Sequence, residues 1–355
     1  MRWGLVGFGW VARDHHLPAL LAAGHEVAGV VDPSPPARAE AQARGLAVLA
    51  DIAALKAAGA EAIYVATPNH LHRPAVEQAA TLGMPVLCEK PMASTLADAE
   101  AIAAAVTRGG VLYGTAFDQR HHPAHRAIHD AVRDGAVGQL TAIRIVYACW
   151  VGADWAADNW RIRSCEAGGG AVIDLAPHGL DLAQMLAGGP LAELQMLLQR
   201  RVHAYDVDDG GVLIGRTAGG TLVQLHVSYN CPEGLPRRRL ELVGSEGGIV
   251  TADSMGQTAG GTVVRLCGRT GCETPIAFDA SASPFQRQAE AFAAAVRGEA
   301  HDFSVERDLE LMRLFHAAHD VAAPPPPFPP TREPRREFAP NGMEIPAFAG
   351  TTERA

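Results

Sequence analysis

The sequence predicts an α/β protein in two units. The first is a parallel sheet covered by helices on both faces, and the second an α+β unit on a largely antiparallel open sheet. Three observations carry this reading. Up to about residue 118, short apolar runs alternate with helix-compatible segments. Beyond about residue 120, a helical stretch gives way to a series of extended runs. The first apolar run enters a glycine turn of defined spacing, Gly7-Phe8-Gly9-Trp10-Val11-Ala12.

In the first unit, strands are expected at Trp3–Val6, Glu26–Val31, Ala62–Ala66, Pro85–Cys88 and Val111–Gly114. Ala-rich helices such as Pro74–Leu82 and Leu96–Val106 fit between them. Such alternation builds a parallel sheet with helices on both sides. The glycine turn adds chemistry. Gly7 permits a tight turn, Gly9 lets the backbone approach a pyrophosphate, and Ala12 is small enough for the following helix to pack on the strand. The second strand ends in Asp32, 23 residues past Gly9, near the place of a ribose-binding carboxylate (~20 residues on). Together they make residues 1–118 a Rossmann dinucleotide-binding domain, with Gly7, Phe8, Gly9, Trp10, Val11 and Asp32 as cofactor-binding candidates.

The second unit is expected over residues 119–323. Helix Ala124–Arg133 leads into extended runs at Thr141–Trp150, Leu194–Val202, Gly211–Arg216, Thr221–Tyr229, Arg238–Val243 and Thr262–Leu266. In Thr221–Tyr229, Val223, Leu225, Val227 and Tyr229 share one face, while Gln224, His226 and Ser228 lie on the other. The turn Ala218-Gly219-Gly220 joins it to the preceding run as a hairpin would. Amphipathic helices near Phe285–Arg297 and Val305–Val321 close the unit. Residues 324–355 begin with Pro324-Pro325-Pro326-Pro327-Phe328-Pro329-Pro330 and then lose all period, which predicts a disordered tail.

Charge and composition exclude several classes. The 30 basic and 39 acidic residues leave a net charge of −9, and no Lys/Arg run marks a nucleic-acid groove or a membrane surface. No uncharged apolar stretch reaches the 18 residues or more of a membrane span. The first residues already read as a strand, which leaves no room for a signal peptide. Six cysteines without a C-x-x-C spacing fit a reducing cytoplasm better than a disulfide framework. His15-His16 and His121-His122-x-x-His125 have no Cys or carboxylate partner at ligand spacing, so no metal is expected.

Three further clusters carry chemistry. Thr67-Pro68-Asn69-His70-Leu71-His72 follows the third strand, at the ligand-facing edge of a parallel sheet, and offers Thr67, Asn69 and His72 to a cofactor. Cys88-Glu89-Lys90-Pro91 ends the fourth strand, where a lysine closing a buried apolar run is more than a solvated charge. Gly168-Gly169-Gly170 opens a helix on which Asp174, His178 and Asp181 fall at i, i+4 and i+7, on one face. A carboxylate–imidazole–carboxylate stripe over an apolar seat is suited to proton transfer.

These pieces together resemble the Gfo/Idh/MocA oxidoreductases, over about residues 1–322. The motifs that carry the resemblance are G-F-G-W-V-A, T-P-N-H-L-H, E-K-P and G-G-G-x-x-x-D-x-x-x-H-x-x-D. The resemblance implies a Rossmann domain followed by an α/β domain whose open sheet joins copies into a homodimer or homotetramer. It implies that Lys90 holds the reacting oxygen between nicotinamide and substrate, that Asp174 binds a neighbouring hydroxyl, and that His178 is the general acid/base. Asn69 and Glu89 would lie along the nicotinamide and its ribose, and Asp32 would take the adenosine ribose. Asp118-Gln119-Arg120 and Trp160-Arg161 match segments that approach nicotinamide or substrate, with Asp118 where many relatives carry Asn. Arg120, Arg161 and Asp181 are thus substrate-binding candidates.

The implied chemistry is hydride transfer between a nicotinamide cofactor, NAD in preference to NADP, and a secondary alcohol of a sugar, cyclitol or sugar-derived acid. An imidazole, with a reference pKa of about 6.5, can take the hydroxyl proton near neutrality. A lysine ammonium stabilises the developing alkoxide. The same resemblance admits an NAD-dependent redox glycosidase and a non-catalytic ligand-sensing protein.

Overall fold

The chain is described here by a computed structural model, which covers residues 1–152 and 159–323. The tail expected over 324–355 lies outside the described residues. The first sheet has the order β2-β1-β3-β4-β5, all parallel. Its strands are β1 (Arg2–Val6), β2 (Glu26–Val31), β3 (Ala62–Val65), β4 (Val86–Cys88) and β5 (Tyr113–Thr115). Helices α1 (Leu17–Ala22), α2 (Pro35–Ala43), α3 (Ile52–Ala57), α4 (His72–Thr81) and α5 (Leu96–Gly109) connect them. Residues Ala12–His16, expected as ordinary helix, form a π-helical turn leading into α1. Parallel strands buried on both faces read as continuous apolar runs, and all of Ala62–Val65 and Val86–Cys88 is buried.

After α6 (Pro123–Arg133) the chain enters the second sheet, eight strands among the described residues. These are β6 (Leu140–Ala148), β7 (Leu191–Gln199), β8 (Gly210–Thr217), β9 (Leu222–Ser228), β10 (Arg238–Gly244), β11 (Gly247–Ala252), β12 (Thr262–Cys267) and β13 (Glu273–Pro275). Their order is β13-β12-β11-β10-β6-β9-β8-β7, antiparallel except for β6 beside β9. The expected hairpin is present as β8–β9. Strands β11 and β13 went unforeseen, because Gly247-Gly248 and the exposed Glu273–Pro275 lack an apolar alternation.

Between the sheets lie α7 (Ser164–Ala167) and the long α8 (Ala171–Ala187). The expectation of a seated helix with one polar face needs correction. α8 is buried on nearly every side, leaving only Asp174 and Ala187 half-buried. Gly179 permits this, since a Cβ there would stand 2.8 Å from Leu225 of β9.

Helices α9 (Pro284–Val296) and α10 (Val305–Val321) bind the two units together. Phe292 of α9 packs on Trp3 of β1, with ring centroids 5.6 Å apart. On α10, Leu311 and Phe315 join the core of the second sheet while Met312 joins that of the first. No helix among the described residues is long and apolar enough to cross a membrane.

Candidate active site

The carboxyl ends of parallel strands are where a sheet of this kind receives ligands. Here they bring together the Gly7–Val11 turn, Asp32, Thr67, Glu89-Lys90 and Asp118. Gly7 has φ +88°, and a Cβ on it would meet the Ala66 carbonyl oxygen at 2.6 Å, so both its conformation and its closeness require glycine. Gly9 faces open space, with nothing within 4 Å of a built Cβ. Asp32 accepts from the Phe8 and Ser34 amides, each at 2.7 Å, which ties the end of β2 to the glycine turn. The Phe8 amide is therefore spent on Asp32 and its ring is buried, so Phe8 shapes the turn rather than presenting a donor. Trp10 is half exposed over the turn.

A cavity of about 310 Å³ opens beside this edge. Its walls include Trp10, Lys90, Asp118, Arg161, Asp174 and His178. Lys90 donates through Nζ to Asp174 Oδ1 at 2.7 Å and to the Asp174 carbonyl at 2.8 Å. Tyr229 donates its hydroxyl to Asp174 Oδ2 at 2.8 Å, and Arg161 Nε lies 3.5 Å from Oδ1. Burial alone would raise the Asp174 carboxyl, but Lys90 and Arg161 outweigh it and hold the group well below the ordinary carboxylate range. Burial and the Asp174 charge push the Tyr229 phenol well up, so it stays a donor.

One helical turn on, His178 Nδ1 lies 2.9 Å from Asp118 Oδ1. The contact is off the straight hydrogen-bond line. Asp118 is buried, yet His178 and the Gln119 amide keep its carboxyl below the usual value. The Tyr147 ring meets His178 edge-on, with centroids 5.4 Å apart.

Glu89 accepts the Tyr64 hydroxyl at 2.5 Å. Burial is the largest influence on Glu89 and raises its carboxyl despite Lys90 and Tyr64.

Two of the three glycines before α8 are required by geometry. Gly168 has φ +86°, and a Cβ on Gly170 would collide with the Asp208 carbonyl at 2.0 Å. The Asp208 carboxylate accepts from the Gly170 and Val172 amides at 2.9 and 2.8 Å, which caps the helix.

Several expected residues stand elsewhere. Arg120 and Asp181 do not reach the cavity. Arg120 donates Nη2 and Nε to the two oxygens of Asp181 at 2.6 and 3.0 Å, and both side chains are buried. Burial would depress the guanidinium, but Asp181 and Asp302 raise it further, as befits a buried ion pair. The i+7 position of Asp181 carries it past the cavity to the next packing layer. His72 is fully buried between the Pro91 and Thr67 carbonyls, 3.0 Å from each, and burial pushes it down to about 4. It braces the loops that follow β3 and β4 and has no exposed surface to offer a cofactor in this structure. The Asn69 amide donates to the Ala167 carbonyl at 2.9 Å, linking the third strand's loop to α7. Thr67 Oγ1 is buried without a partner beside Gly7, a donor for a group not supplied by the chain. With the open space at Gly9 it makes the edge fit a dinucleotide. His122 and His125 contact the Thr258 and Gln119 carbonyls, and no group of three or more His, Cys, Asp or Glu among the described residues could hold a metal ion.

Tyr229, Tyr147, Cys149, Trp150 and Arg238 also line the cavity and were not singled out from sequence. For Tyr229 a signal existed, since it ends the inward face of an alternating strand with a polar tip.

Comparison with known proteins agrees with this architecture. Residues 1–117 match the oxidoreductase family with an NAD-binding Rossmann fold, and residues 125–250 match the GFO/IDH/MocA C-terminal domain. The 1,5-anhydro-D-fructose reductase of Ensifer adhaerens is 31% identical over 266 residues, 74% of this chain and 79% of the relative. The dTDP-3,4-didehydro-2,6-dideoxy-alpha-D-glucose 3-reductase of Streptomyces violaceoruber is 30% identical over 85% of this chain and 88% of its own length. Among solved structures, the aldose-aldose oxidoreductase of Caulobacter crescentus shares the fold with a TM-score of 0.80 at 22% identity, covering 91% of this chain and 97% of that one.

Proposed function

The chain belongs to the Gfo/Idh/MocA oxidoreductase family, and on that premise we propose that it is an NAD-dependent dehydrogenase of a secondary alcohol on a sugar, cyclitol or sugar-derived acid. The observation that carries this reading is the convergence of Lys90, Asp174 and His178 on one cavity at the carboxyl edge of the parallel sheet. Retention of all three argues against a ligand sensor without catalysis.

The Gly9-Trp10-Val11 backbone, Asp32, Thr67 and Glu89 would hold the cofactor, which supplies the hydride acceptor. His178 pairs with Asp118 through Nδ1, which leaves the Nε2 lone pair to take the proton of the substrate hydroxyl. Lys90 donates to the same oxygen as it gains negative charge, and Asp174 fixes the Lys90 amine in place. The Tyr229 hydroxyl holds the other Asp174 oxygen, and Arg161 stands beside the one that Lys90 binds, so the triad is pre-organised before substrate arrives. In the reductive direction His178 returns the proton.

Asp32 supports NAD over NADP. Its carboxylate sits at the ribose end of the site, held by two backbone amides, where it would repel a 2′-phosphate. Arg38, the nearby cation, is committed to the Pro33 and Asp32 carbonyls at 2.6 and 3.2 Å.

The experiment is a screen of inositols, aldoses and sugar acids for reduction of NAD and of NADP. Substrate-dependent reduction of NAD at least tenfold more efficient than that of NADP is expected. Absence of reduction with every substrate removes the dehydrogenase reading, and equal efficiency with both cofactors removes the role of Asp32.

A further inference from the structure

The charges around the cavity form a nearly closed set. Lys90 and Arg161 share Asp174, His178 stands against Asp118, and Glu89 is bonded to Tyr64. Among the described residues one cation of the cavity is left over. Arg238, the first residue of β10, lines the cavity, yet among the described residues its side chain has no carboxylate partner and makes no hydrogen bond. Its Nε is buried with nothing to donate to. A half-buried guanidinium without a counter-ion is costly, and an unmet buried donor asks for an explanation.

Its placement supplies one. Arg238 pairs across the sheet with Tyr147 of β6, whose ring abuts His178. Arg238 and His178 thus flank Tyr147 as its neighbours in the same cavity. Gly256 makes room for the guanidinium, because a Cβ there would stand 2.6 Å from Arg238 Nη1. Apolar and aromatic residues line the same cavity, among them Val151, Leu175 and Phe285. An anion on the ligand would find there a planar fork suited to two parallel hydrogen bonds.

We propose that Arg238 is the specificity residue for a substrate bearing an anionic group, a carboxylate or a phosphomonoester, on a carbon away from the one oxidised. This rests on the dehydrogenase reading and narrows its substrate class. A polyhydroxylated ligand places its reacting hydroxyl between Lys90 and His178 and its anion on Arg238. The anion completes the charge set that the protein leaves open.

The test compares wild type, Arg238→Gln and Arg238→Lys at saturating NAD, on an aldose, the corresponding uronate and the corresponding sugar phosphate. Wild type should prefer one of the two anionic forms, and which one identifies the anion. Arg238→Gln should lower the anionic-to-neutral ratio of kcat/KM by roughly 30-fold, chiefly through KM, with Arg238→Lys in between. An unchanged ratio overturns the proposal. So does weakened NAD binding in Arg238→Gln, which would assign the guanidinium to the cofactor. Calorimetric titration of the NAD-loaded proteins with the same three ligands separates this inference from the one beneath it. Anion binding lost in Arg238→Gln, without turnover of any alcohol, would retain the subsite and remove the dehydrogenase. Turnover of neutral polyols with no anion binding would do the reverse.

Discussion

His178 Nδ1 and Asp118 Oδ1 stand 2.9 Å apart, one on the helix between the sheets and the other just past the last strand of the first sheet. The contact engages one imidazole nitrogen of a residue that lines the cavity. His178→Ala should lower kcat by roughly 10²–10⁴-fold with NAD affinity little changed. Asp118→Asn should cost about tenfold, since it removes the negative charge that steadies the ring as it takes the proton. Steady-state kinetics and NAD titration on the same preparations check both, and normal turnover in His178→Ala removes it from the mechanism.

Asp174 links activity to acid stability. Its carboxyl is held below the ordinary value, so its stabilising contribution is complete above the unfolded carboxylate pKa of 3.8 and disappears as pH falls through the lower folded value. Asp174→Asn should therefore destabilise the protein at pH 7 by roughly 3 kcal/mol, because Lys90 keeps its charge without a charged partner. The difference from wild type should shrink steadily below about pH 4. Denaturant titrations across that range read it directly; a difference that grows with acid would contradict the ion pairing.

The Arg120–Asp181 clamp predicts the opposite behaviour to His178. Arg120→Ala or Asp181→Ala should cost roughly 3–5 kcal/mol of stability, by stranding a buried charge. Turnover per folded molecule should stay within a few-fold of wild type. Thermal melts beside active-site-normalised kcat distinguish a clamp from a substrate contact, and a large loss of kcat with an unchanged melt would restore Arg120 to the site.

Leu197, Val212, Ile214 and Leu222 are exposed on the second sheet, an apolar surface of the kind that second copies cover. Ile214→Arg should convert a homo-oligomer to monomer in sedimentation velocity. An unaltered sedimentation coefficient would place the interface elsewhere.

How far the sequence could be read depends on how local each signal is. The glycine turn, Lys90 at a strand end and the Asp174–His178 spacing are written within a few residues of one another, and local rules of conformation and periodicity suffice to find them. Periodicity places Asp181 on the stripe of Asp174 and His178, yet it says nothing about the layer each reaches. A carboxylate facing a cavity and one facing a buried guanidinium look alike until the partner is known. Arg120, 61 residues earlier, could not be paired with it from spacing. The cap from Asp208 and the contact from Tyr229 are likewise non-local, because they arise from strands folding back over α8. His72 is misleading for another reason. It sits in a motif that follows a strand at the sheet's carboxyl edge, but as the first residue of α4 its ring turns inward to the Pro91 carbonyl.

The bond from Lys90 to Asp174 joins the two halves of the molecule, as do those from Asn69 to Ala167 and from His70 to Glu166. Lys90 and Asp174 thus stand on elements of the two different halves, and neither side chain is posed as it is here until the halves dock. Turnover therefore reports completed assembly of the whole body, a quality check built into the seam.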